Sequence, residues 1–225
     1  MDTLKTNTAI IIGGSGAVGH LLIEKLLDTK KYERIYLILR TSLGFQSHPI
    51  IQELISSKLT TEDLVISEAK IDLFCTLGTT LKKAGSINEF VKIDRDLVVE
   101  YARWGKQKEI CAMHVVSYIG ADEASKNYYS RTKGEMENQL INLGLSSLTI
   151  YRPSLLHGAK REEFRLGEAL GFYFMQLFSW LPFSMIKRYK PVSVSDLADV
   201  MVKYSMKPSP EVSIISSEEM HDVNL

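Results

Sequence analysis

The sequence predicts an α/β protein whose core is a doubly wound parallel sheet with helices on both faces. An apolar run, a glycine-rich turn and an amphipathic helix follow one another over residues 8–27. Strand-like and helix-like patterns then alternate as far as residue 152, which is typical of parallel strands joined by helices. The run at residues 35–39 is apolar throughout, as expected for a strand buried on both faces. These observations predict a Rossmann-type sheet followed by a short C-terminal segment.

Each element follows from its own local pattern. Apolar runs predict strands over residues 8–12, 35–39, 50–55, 71–77, 111–117 and 148–151. Apolar residues at helical spacing predict helices over residues 17–28, 87–106 and 128–143, the second capped by Ser86 and the third ended by Gly144. Two threonines followed by two acids predict a further helix start at residues 60–63. Beyond residue 153 we predict a helix over residues 194–206 and a last strand over residues 211–215.

The glycine-rich turn has the spacing of a dinucleotide-binding loop, G-x-x-G-x-x-G at Gly13, Gly16 and Gly19. The first glycine permits a tight turn, the second lets the backbone approach a pyrophosphate, and the third lets the helix pack against the strand. The helix N-terminus then offers N–H groups and the positive end of its dipole to the phosphates. We therefore predict a dinucleotide site, whose contacts also include Ser15, Ala17 and Val18; the alternative is a structural turn.

The end of the second predicted strand bears on the choice of cofactor. It reads Arg40, Thr41, Ser42. An acidic residue at this place suits the ribose 2′-hydroxyl of NAD, whereas a basic residue suits the 2′-phosphate of NADP. Arg40 and Thr41 therefore favour NADP(H) over NAD(H), the alternative being a solvated surface arginine.

Length and charge limit the class of protein. A chain of 225 residues suits a single domain. We predict one NAD(P)-binding domain over residues 1–225, with a dinucleotide-binding core at 1–152 and substrate-side and C-terminal elements at 153–225. Lys+Arg and Asp+Glu are both 27, so the formal net charge is zero. Nothing in this balance favours a nucleic-acid partner, and a small-molecule substrate is expected.

Other features indicate a cytoplasmic protein. Residues 1–7 are polar and lack the apolar core of a signal peptide. No stretch reads as a clear membrane span, so integral membrane association is not expected. The two cysteines, Cys75 and Cys111, lie beside apolar runs and are expected to be buried free thiols in a reducing compartment.

Tyr129 and Lys133 form Y-x-x-x-K on a predicted helix, so both side chains lie on one face. A free tyrosine has a pKa near 10, and a cation one turn away stabilises the phenolate and brings that pKa closer to neutrality. The lysine can also reach the cofactor ribose. Tyr128 has Thr132 four residues on and is expected to be a packing aromatic. Ser117, at the end of the fifth strand, is either the group that holds a substrate oxygen or a satisfied strand-end serine.

Three motifs together resemble the short-chain dehydrogenase/reductase superfamily. They are the glycine turn at residues 13–19, the Tyr129–Lys133 pair and Arg152-Pro153. Four further motifs resemble its atypical branch: L-G-T-T at 77–80, K-K-A-G-S at 82–86, V-S-x-x-G-A-D at 116–122 and Y-x-R-x-K-G-E at 129–135. Within that branch the chain is similar to the Tat-interacting-protein-like oxidoreductases and to small bacterial relatives described as nucleoside-diphosphate-sugar epimerases. The resemblance spans roughly residues 8–215.

The resemblance implies a Rossmann fold that binds NADP(H). It implies that Gly13, Gly16 and Gly19 bind the phosphates and that Arg40 binds the 2′-phosphate. It also implies that Tyr129 and Lys133 are the active-site pair and that Thr79 and Pro153 lie by the nicotinamide half. Leu77, Gly78 and Lys133 are further expected cofactor contacts.

The sequence departs from the group at two places. Relatives usually have two serines at the end of the fifth strand, the second aligned with the catalytic serine of the superfamily. Here the pair is Ser117-Tyr118, so this hydroxyl is either missing or moved to Ser117. Relatives also often have an acidic residue after the third strand, near the adenine, where this chain has Ser56 and Ser57.

Three functions are consistent with these residues. The first is an NADP(H)-dependent oxidoreductase acting on a carbonyl or alcohol. The second is a non-catalytic NADP(H)-binding sensor or partner-binding protein, which the Ser117-Tyr118 departure favours. The third is a nucleotide-sugar epimerase, for which the stretch after Pro153 is a short substrate cap.

The remaining candidates lie outside these motifs. His114 is expected to be packed in a strand, while His157 is a candidate for the substrate crevice. Arg161 and Arg165 are expected in a solvated turn rather than at an anion site, and no metal-ligand spacing is present. The aromatic stretch at residues 172–183 has three interpretations: core or substrate-lid packing, a homodimer interface, or membrane-surface association.

Overall fold

Seven parallel strands form one sheet in the computed structural model, which describes residues 7–61, 64–67, 70–158 and 189–221. Its strands are β1 Asn7–Ile12, β2 Arg34–Leu39, β3 Ile51–Ile55, β4 Lys70–Cys75, β5 Ala112–Val116, β6 Leu148–Arg152 and β9 Val212–Ser216. Two short strands, β7 Leu156–His157 and β8 Val192–Ser193, form a separate two-stranded sheet. Their order in the sheet is β3-β2-β1-β4-β5-β6-β9. From β1 to β3 successive strands are added on one side of β1, and from β4 onward they are added on the other side. Ligands bind at this switch point, between β1 and β4, in sheets of this kind. The predicted Rossmann-type fold is confirmed.

Helices cover both faces of this sheet. They are α1 Ala17–Asp28, α2 Leu81–Ala84, α3 Ile87–Val91, α4 Leu97–Gln107, α5 Tyr128–Asn142 and α6 Val194–Met206. The apolar sides of α1 and α6 share one core with one face of the sheet. Those of α4 and α5 bury the other face. The apolar runs at residues 9–12 and 35–39 follow from this arrangement, because β1 and β2 have helices or loops packed on both faces of the sheet.

The predicted helix start at residues 60–63 is wrong. Thr60, Thr61 and residues 64–67 are not helical, and residues 62 and 63 lie outside the described ranges. The N–H and the hydroxyl of Thr61 instead donate to the Glu100 carboxylate, at 2.8 and 2.9 Å. A tertiary contact with α4 thus uses the groups that would have begun a helix.

The predicted helix over residues 87–106 is interrupted by a turn of π-helix, Lys92–Asp96, between α3 and α4. Ser86 caps α3 as predicted, since its side chain accepts from the Glu89 N–H. A π-helical turn inserts one extra residue and often occurs at a functional position. Here the side chain of Asp94 is only 1% exposed.

The sheet extends beyond residue 152, because β9 pairs with β6 as the seventh strand. The helix predicted over residues 194–206 is confirmed as α6, and the last predicted strand as β9. Arg161, Arg165 and the aromatic stretch at residues 172–183 lie outside the described residues. The prediction of two buried thiols is right for Cys75 and wrong for Cys111, which is exposed just before β5.

No helix within the described ranges is both long and apolar enough to cross a membrane.

His114 is a packed strand residue, as predicted. Its ring stacks on Phe74 with centroids 4.8 Å apart, and its Nδ1 lies 2.9 Å from the Tyr151 hydroxyl. Its Nε2 is buried and has no hydrogen-bond partner among the described residues. Burial therefore lowers the pKa of His114 to about 4.

This buried histidine should make stability depend on pH. The pKa of His114 is about 6.5 in the unfolded chain and about 4 when folded, so its contribution is complete above pH 6.5. It is lost as the pH falls from about 6.5 to about 4, by roughly 3 kcal/mol at most. When the free energy of unfolding is measured with urea across this pH range, it should depend less on pH in His114→Gln than in wild type. His20→Gln, at a half-exposed surface position, should keep the wild-type dependence; parallel wild-type and His114→Gln curves would contradict the assignment.

Candidate functional site

The glycine turn is wedged between the end of β4 and the start of α1. Gly13 has φ of +86°, a conformation that favours glycine, and a Cβ there would lie 2.7 Å from the carbonyl carbon of Thr76. A Cβ on Gly19 would overlap the Gly13 carbonyl oxygen and lie 2.8 Å from the Cα of Gly14. The turn can therefore close only if neither position has a side chain.

Gly16 has a different environment from the other two glycines. It is the N-cap of α1, and no described side chain caps the helix. Among the described residues, the only atom that a Cβ on Gly16 would approach within 4 Å is the Gly13 carbonyl oxygen, at 3.2 Å. The N–H groups of Ala17 and Val18, in the first turn of α1, lack intrahelical partners, and Ser15 beside them is exposed. A side-chain-free cradle lined by N–H groups fits a diphosphate.

Arg40 and Thr41 are exposed where β2 ends. Across the part of the chain that the structure describes, Arg40 makes no ion pair. The loop that follows folds around the Glu53 carboxylate, which accepts from the N–H groups of Leu43 at 3.0 Å and Phe45 at 3.1 Å. Glu53 thus orders the loop that follows Arg40.

Tyr129 and Lys133 lie in the first two turns of α5, which Asn127 caps by accepting from the Tyr129 N–H at 2.9 Å. The side chain of Lys133 is only 3% exposed, and its Nζ lies 2.8 Å from Oδ1 of Asp94. The other carboxylate oxygen of Asp94 accepts from the Thr79 N–H at 2.9 Å. One buried carboxylate therefore joins α5, the π-helical turn and the loop after β4.

Two opposing effects set the ionisation of this pair. Burial lowers the pKa of Lys133, but the Asp94 carboxylate, together with Tyr129 and Cys75, raises it by more, so the pKa lies above its usual value. Burial raises the pKa of Tyr129, and the Lys133 ammonium lowers it by less, so the pKa lies above 10. The predicted influence of the lysine on the phenol is thus present but is outweighed by burial.

Ser117 is buried, and its hydroxyl donates to the Glu137 carboxylate. Glu137 is itself buried and accepts from Nε of Arg152 at 3.0 Å. The proton of Ser117 is thus directed to a charged core group. The role predicted for Ser117, holding a substrate oxygen, receives no support from this contact.

Tyr118 contacts Tyr129 directly. The two rings meet edge to face, with centroids 5.0 Å apart and an interplanar angle of 81°. Phe90 packs against Tyr129 from α3 at 5.5 Å, and against Tyr128 at 5.4 Å. The packing role predicted for Tyr128 agrees with this contact. The residue that replaces the second serine thus places a phenol ring beside the candidate acid.

The other predicted contacts lie at the same edge of the sheet. Leu77, Gly78 and Thr79 follow β4, with Gly78 exposed. Pro153 follows β6, and its carbonyl accepts from the Ile119 N–H at 3.0 Å. These loops converge because the carboxyl ends of parallel strands share one edge. His157, in β7, is exposed.

Sequence reasoning missed two buried acids of this site, Asp94 and Glu137. Asp94 is four residues after Phe90 and four before Val98, on the apolar face of the predicted helix. Glu137 is four residues after Lys133 on the face of α5 that also carries Tyr129. An acid on an apolar face is the signal that could have found Asp94, because such a carboxylate needs a buried partner. Within the described ranges, no group of three or more His, Cys, Asp or Glu is placed to hold a metal ion.

The sheet order, the glycine turn and the Tyr129–Lys133 pair define an atypical short-chain dehydrogenase/reductase, and comparison with known proteins agrees. The chain is 31% identical over 189 residues to protein HTATIP2 of Rattus norvegicus, covering 83% of this chain and 76% of that protein. It is 28% identical over 207 residues to the mitochondrial protein FMP52 of Candida albicans, covering 89% and 88%. The chain belongs to the HTATIP2 and FMP52 family of atypical short-chain dehydrogenases/reductases.

Comparison of structures supports the same fold. The enzyme WbmF of Bordetella bronchiseptica, solved in complex with NAD+, superposes with a TM-score of 0.67 at 12% identity, covering 99% of this chain and 79% of that one. No protein-family model matches the chain.

Proposed function

We propose that this protein is an NADP(H)-dependent oxidoreductase that acts on a carbonyl or alcohol. The observation that carries the proposal is the position of Tyr129. Tyr129 is one helical turn before Lys133, a buried, ion-paired lysine whose charge acts on the phenol. Helix α5 begins at the same sheet edge as a turn whose amides fit a diphosphate. This arrangement supports a dinucleotide site and an acid–base residue at one edge of the sheet. Membership of a dehydrogenase/reductase family supports this reading.

The residues at this edge fit a nicotinamide dinucleotide. Bound there, the cofactor would accept or supply a hydride. The amides at the start of α1 would hold its diphosphate, and Arg40 with Thr41 its 2′-phosphate. Leu77, Gly78, Thr79 and Pro153 would lie along its nicotinamide half.

Tyr129 would exchange the proton in this reaction. Its hydroxyl would donate to the carbonyl oxygen during reduction and would take the proton back during oxidation. The phenolate that forms is stabilised by the Lys133 ammonium, which is held one helical turn away. A second hydroxyl would hold the substrate oxygen, either that of Ser117 or, given its contact with Tyr129, that of Tyr118.

Cofactor titration and turnover test the proposal in sequence. Calorimetry should register NADPH binding, and NADPH absorbance should then fall on addition of at least one member of an aldehyde, ketone and quinone panel. No binding of either NADPH or NADH would remove the proposal altogether. Binding without turnover would support the cofactor site and contradict the proposed enzymatic activity.

Arg40→Ala should weaken NADPH binding about tenfold, since it removes a charge-assisted hydrogen bond to the 2′-phosphate. NADH has no such phosphate, and its affinity should not change. Calorimetric dissociation constants for both cofactors check this, with Arg103→Ala, an exposed arginine on α4, as the control. Equal affinity of wild type for NADPH and NADH would remove the role of Arg40.

A non-catalytic NADP(H) sensor is the second candidate, and one observation favours it. Tyr118 occupies the place of a serine and packs on Tyr129, while the Ser117 hydroxyl is bound to Glu137. If Tyr118 blocks substrate rather than holding it, Tyr118→Ser should create or raise turnover across the same panel. If Tyr118 holds the substrate oxygen, that variant should keep turnover and Tyr118→Phe should lower it.

A further inference from the structure

We propose that Asp94 is a positioning residue whose carboxylate fixes the Lys133 side chain beside Tyr129 and keeps it charged. The consequence for catalysis rests on the proposed function. The charge state of Lys133 does not depend on the proposed function, and it can be measured on the protein without cofactor or substrate.

The geometry gives Asp94 two separate contacts. Oδ1 lies 2.8 Å from Nζ of Lys133, and Oδ2 accepts from the Thr79 N–H at 2.9 Å. The side chains of Asp94 and Lys133 are 1% and 3% exposed, so water hardly competes for either charge. The π-helical turn Lys92–Asp96 carries Asp94 and aims it inward, whereas Asp96 is half-exposed and pairs with Arg95. The carboxylate thus links a backbone amide beside the expected nicotinamide half to the active-site lysine.

Few other ionisable groups influence this pair. Tyr129 acts on Lys133 from its own helix and Cys75 from the end of β4. Burial raises the pKa of the Cys75 thiol to about 11, and the pKa of Tyr129 also lies above its usual value, so both are neutral near pH 7. Tyr118 and Tyr128 act on Tyr129 with smaller effects. Asp94 is therefore the anion that balances the buried ammonium at neutral pH.

Removing this anion should change the protonation of Lys133. A fully buried lysine without a counter-ion has its pKa lowered by about 3–5 units. Lys133 would then lose its proton near neutrality instead of above the usual range of a lysine. A neutral amine cannot stabilise a phenolate, so the effect on Tyr129 should follow the same pH dependence.

The decisive measurement is the ionisation of Lys133 in cofactor-free protein. NMR of protein with isotope-labelled lysine follows the Cε chemical shift of each lysine as the pH is changed. The Lys133 signal is identified by its absence in Lys133→Arg. In wild type, Lys133 should stay protonated up to about pH 10. In Asp94→Asn, which keeps an acceptor for the Thr79 N–H, its midpoint should fall by about 3–5 units. Asp96→Asn, two residues away on the same turn, should behave as wild type. An unchanged midpoint in Asp94→Asn would overturn the proposal.

A second variant covers the case in which Asp94→Asn does not fold. Removing one partner of a buried ion pair leaves an unpaired charge, whereas removing both often restores stability. Asp94→Asn combined with Lys133→Met should therefore fold, as judged by circular dichroism. If the double variant also fails to fold, Asp94 is needed for the backbone alone and the proposal is wrong.

Cofactor binding provides the readout that depends on function. NADPH affinity of Asp94→Asn should fall about tenfold between mildly acidic and mildly alkaline pH, as Lys133 loses the charge on a hydrogen bond to the ribose. Asp94→Glu and wild type should vary less than about twofold. A pH-independent loss in Asp94→Asn would indicate a structural role and overturn the proposal. If no variant binds NADPH, the proposed function fails while the NMR result stands.

Discussion

Tyr129→Phe should lower turnover of NADPH by about a hundredfold to ten-thousandfold, the usual contribution of a positioned acid. Phenylalanine keeps the ring that packs against Phe90 and Tyr118 and removes only the hydroxyl. The loss should fall on kcat, while the dissociation constant for NADPH stays within about twofold. Steady-state kinetics with an active carbonyl from the panel, together with calorimetry, measure both quantities.

Tyr128→Phe is the matched control, because Tyr128 is adjacent on α5 and meets Phe90 by its ring. It should turn over at the wild-type rate. If Tyr129→Phe retains full activity, the phenol is not the acid and the sensor reading is favoured. If both variants lose activity together, the loss is not specific to the Tyr129 hydroxyl, and the role of Tyr129 as the acid is contradicted.

Gly19→Ala should destabilise the fold by about 3 kcal/mol or more. Alanine normally improves an α-helix by about 1 kcal/mol over glycine. At Gly19, however, its methyl group would overlap the Gly13 carbonyl oxygen and lie 2.8 Å from both the Gly14 Cα and Oγ1 of Thr76. Two of these three neighbours belong to the backbone and cannot turn aside, so the cost is at the upper end of that for overpacking. Urea unfolding measures the loss.

Gly16→Ala should separate folding from cofactor binding. Within the part of the chain that the structure describes, its added methyl would meet only the Gly13 carbonyl oxygen, at 3.2 Å, so the unfolding free energy should change by less than about 1 kcal/mol. The same methyl would stand where a diphosphate approaches the helix, and NADPH affinity should fall by at least about tenfold. Wild-type affinity in Gly16→Ala would show that the turn is structural and that the cofactor does not bind there.

Most of the sheet could be predicted from local pattern. The runs that became β1 and β2 are apolar over residues 9–12 and 35–39, and the run over residues 71–75 of β4 is apolar except for Asp72; burial on both faces leaves little choice of structure for such runs. The helix at residues 60–63 could not be judged in this way, because the contact of Thr61 with Glu100 joins residues 39 apart in the chain. Cys111 was misplaced for a similar reason, since a sequence does not show which end of a run meets solvent.

The site was only half accessible to the same reasoning. Gly13, Gly16 and Gly19 are recognisable because backbone geometry demands glycine at short, regular spacings. Tyr129 and Lys133 are recognisable because one helical turn separates them. Asp94 is not local to either motif, and its partner Lys133 lies 39 residues further along the chain. Ser117 likewise meets Glu137 only through the packing of α5 on the sheet.

By itself the sequence determined the succession of most strands and helices along the chain, the glycine turn, and the presence of a tyrosine and a lysine on one helical face. These are properties of short segments, set by backbone geometry and by the periodicity of apolar residues. Only the tertiary structure decided which charge balances Lys133, where the hydroxyl of Ser117 points, and that Tyr118 packs on Tyr129. Such pairings depend on burial, because a charge or hydroxyl removed from water takes whichever partner the folded chain brings within a few ångströms.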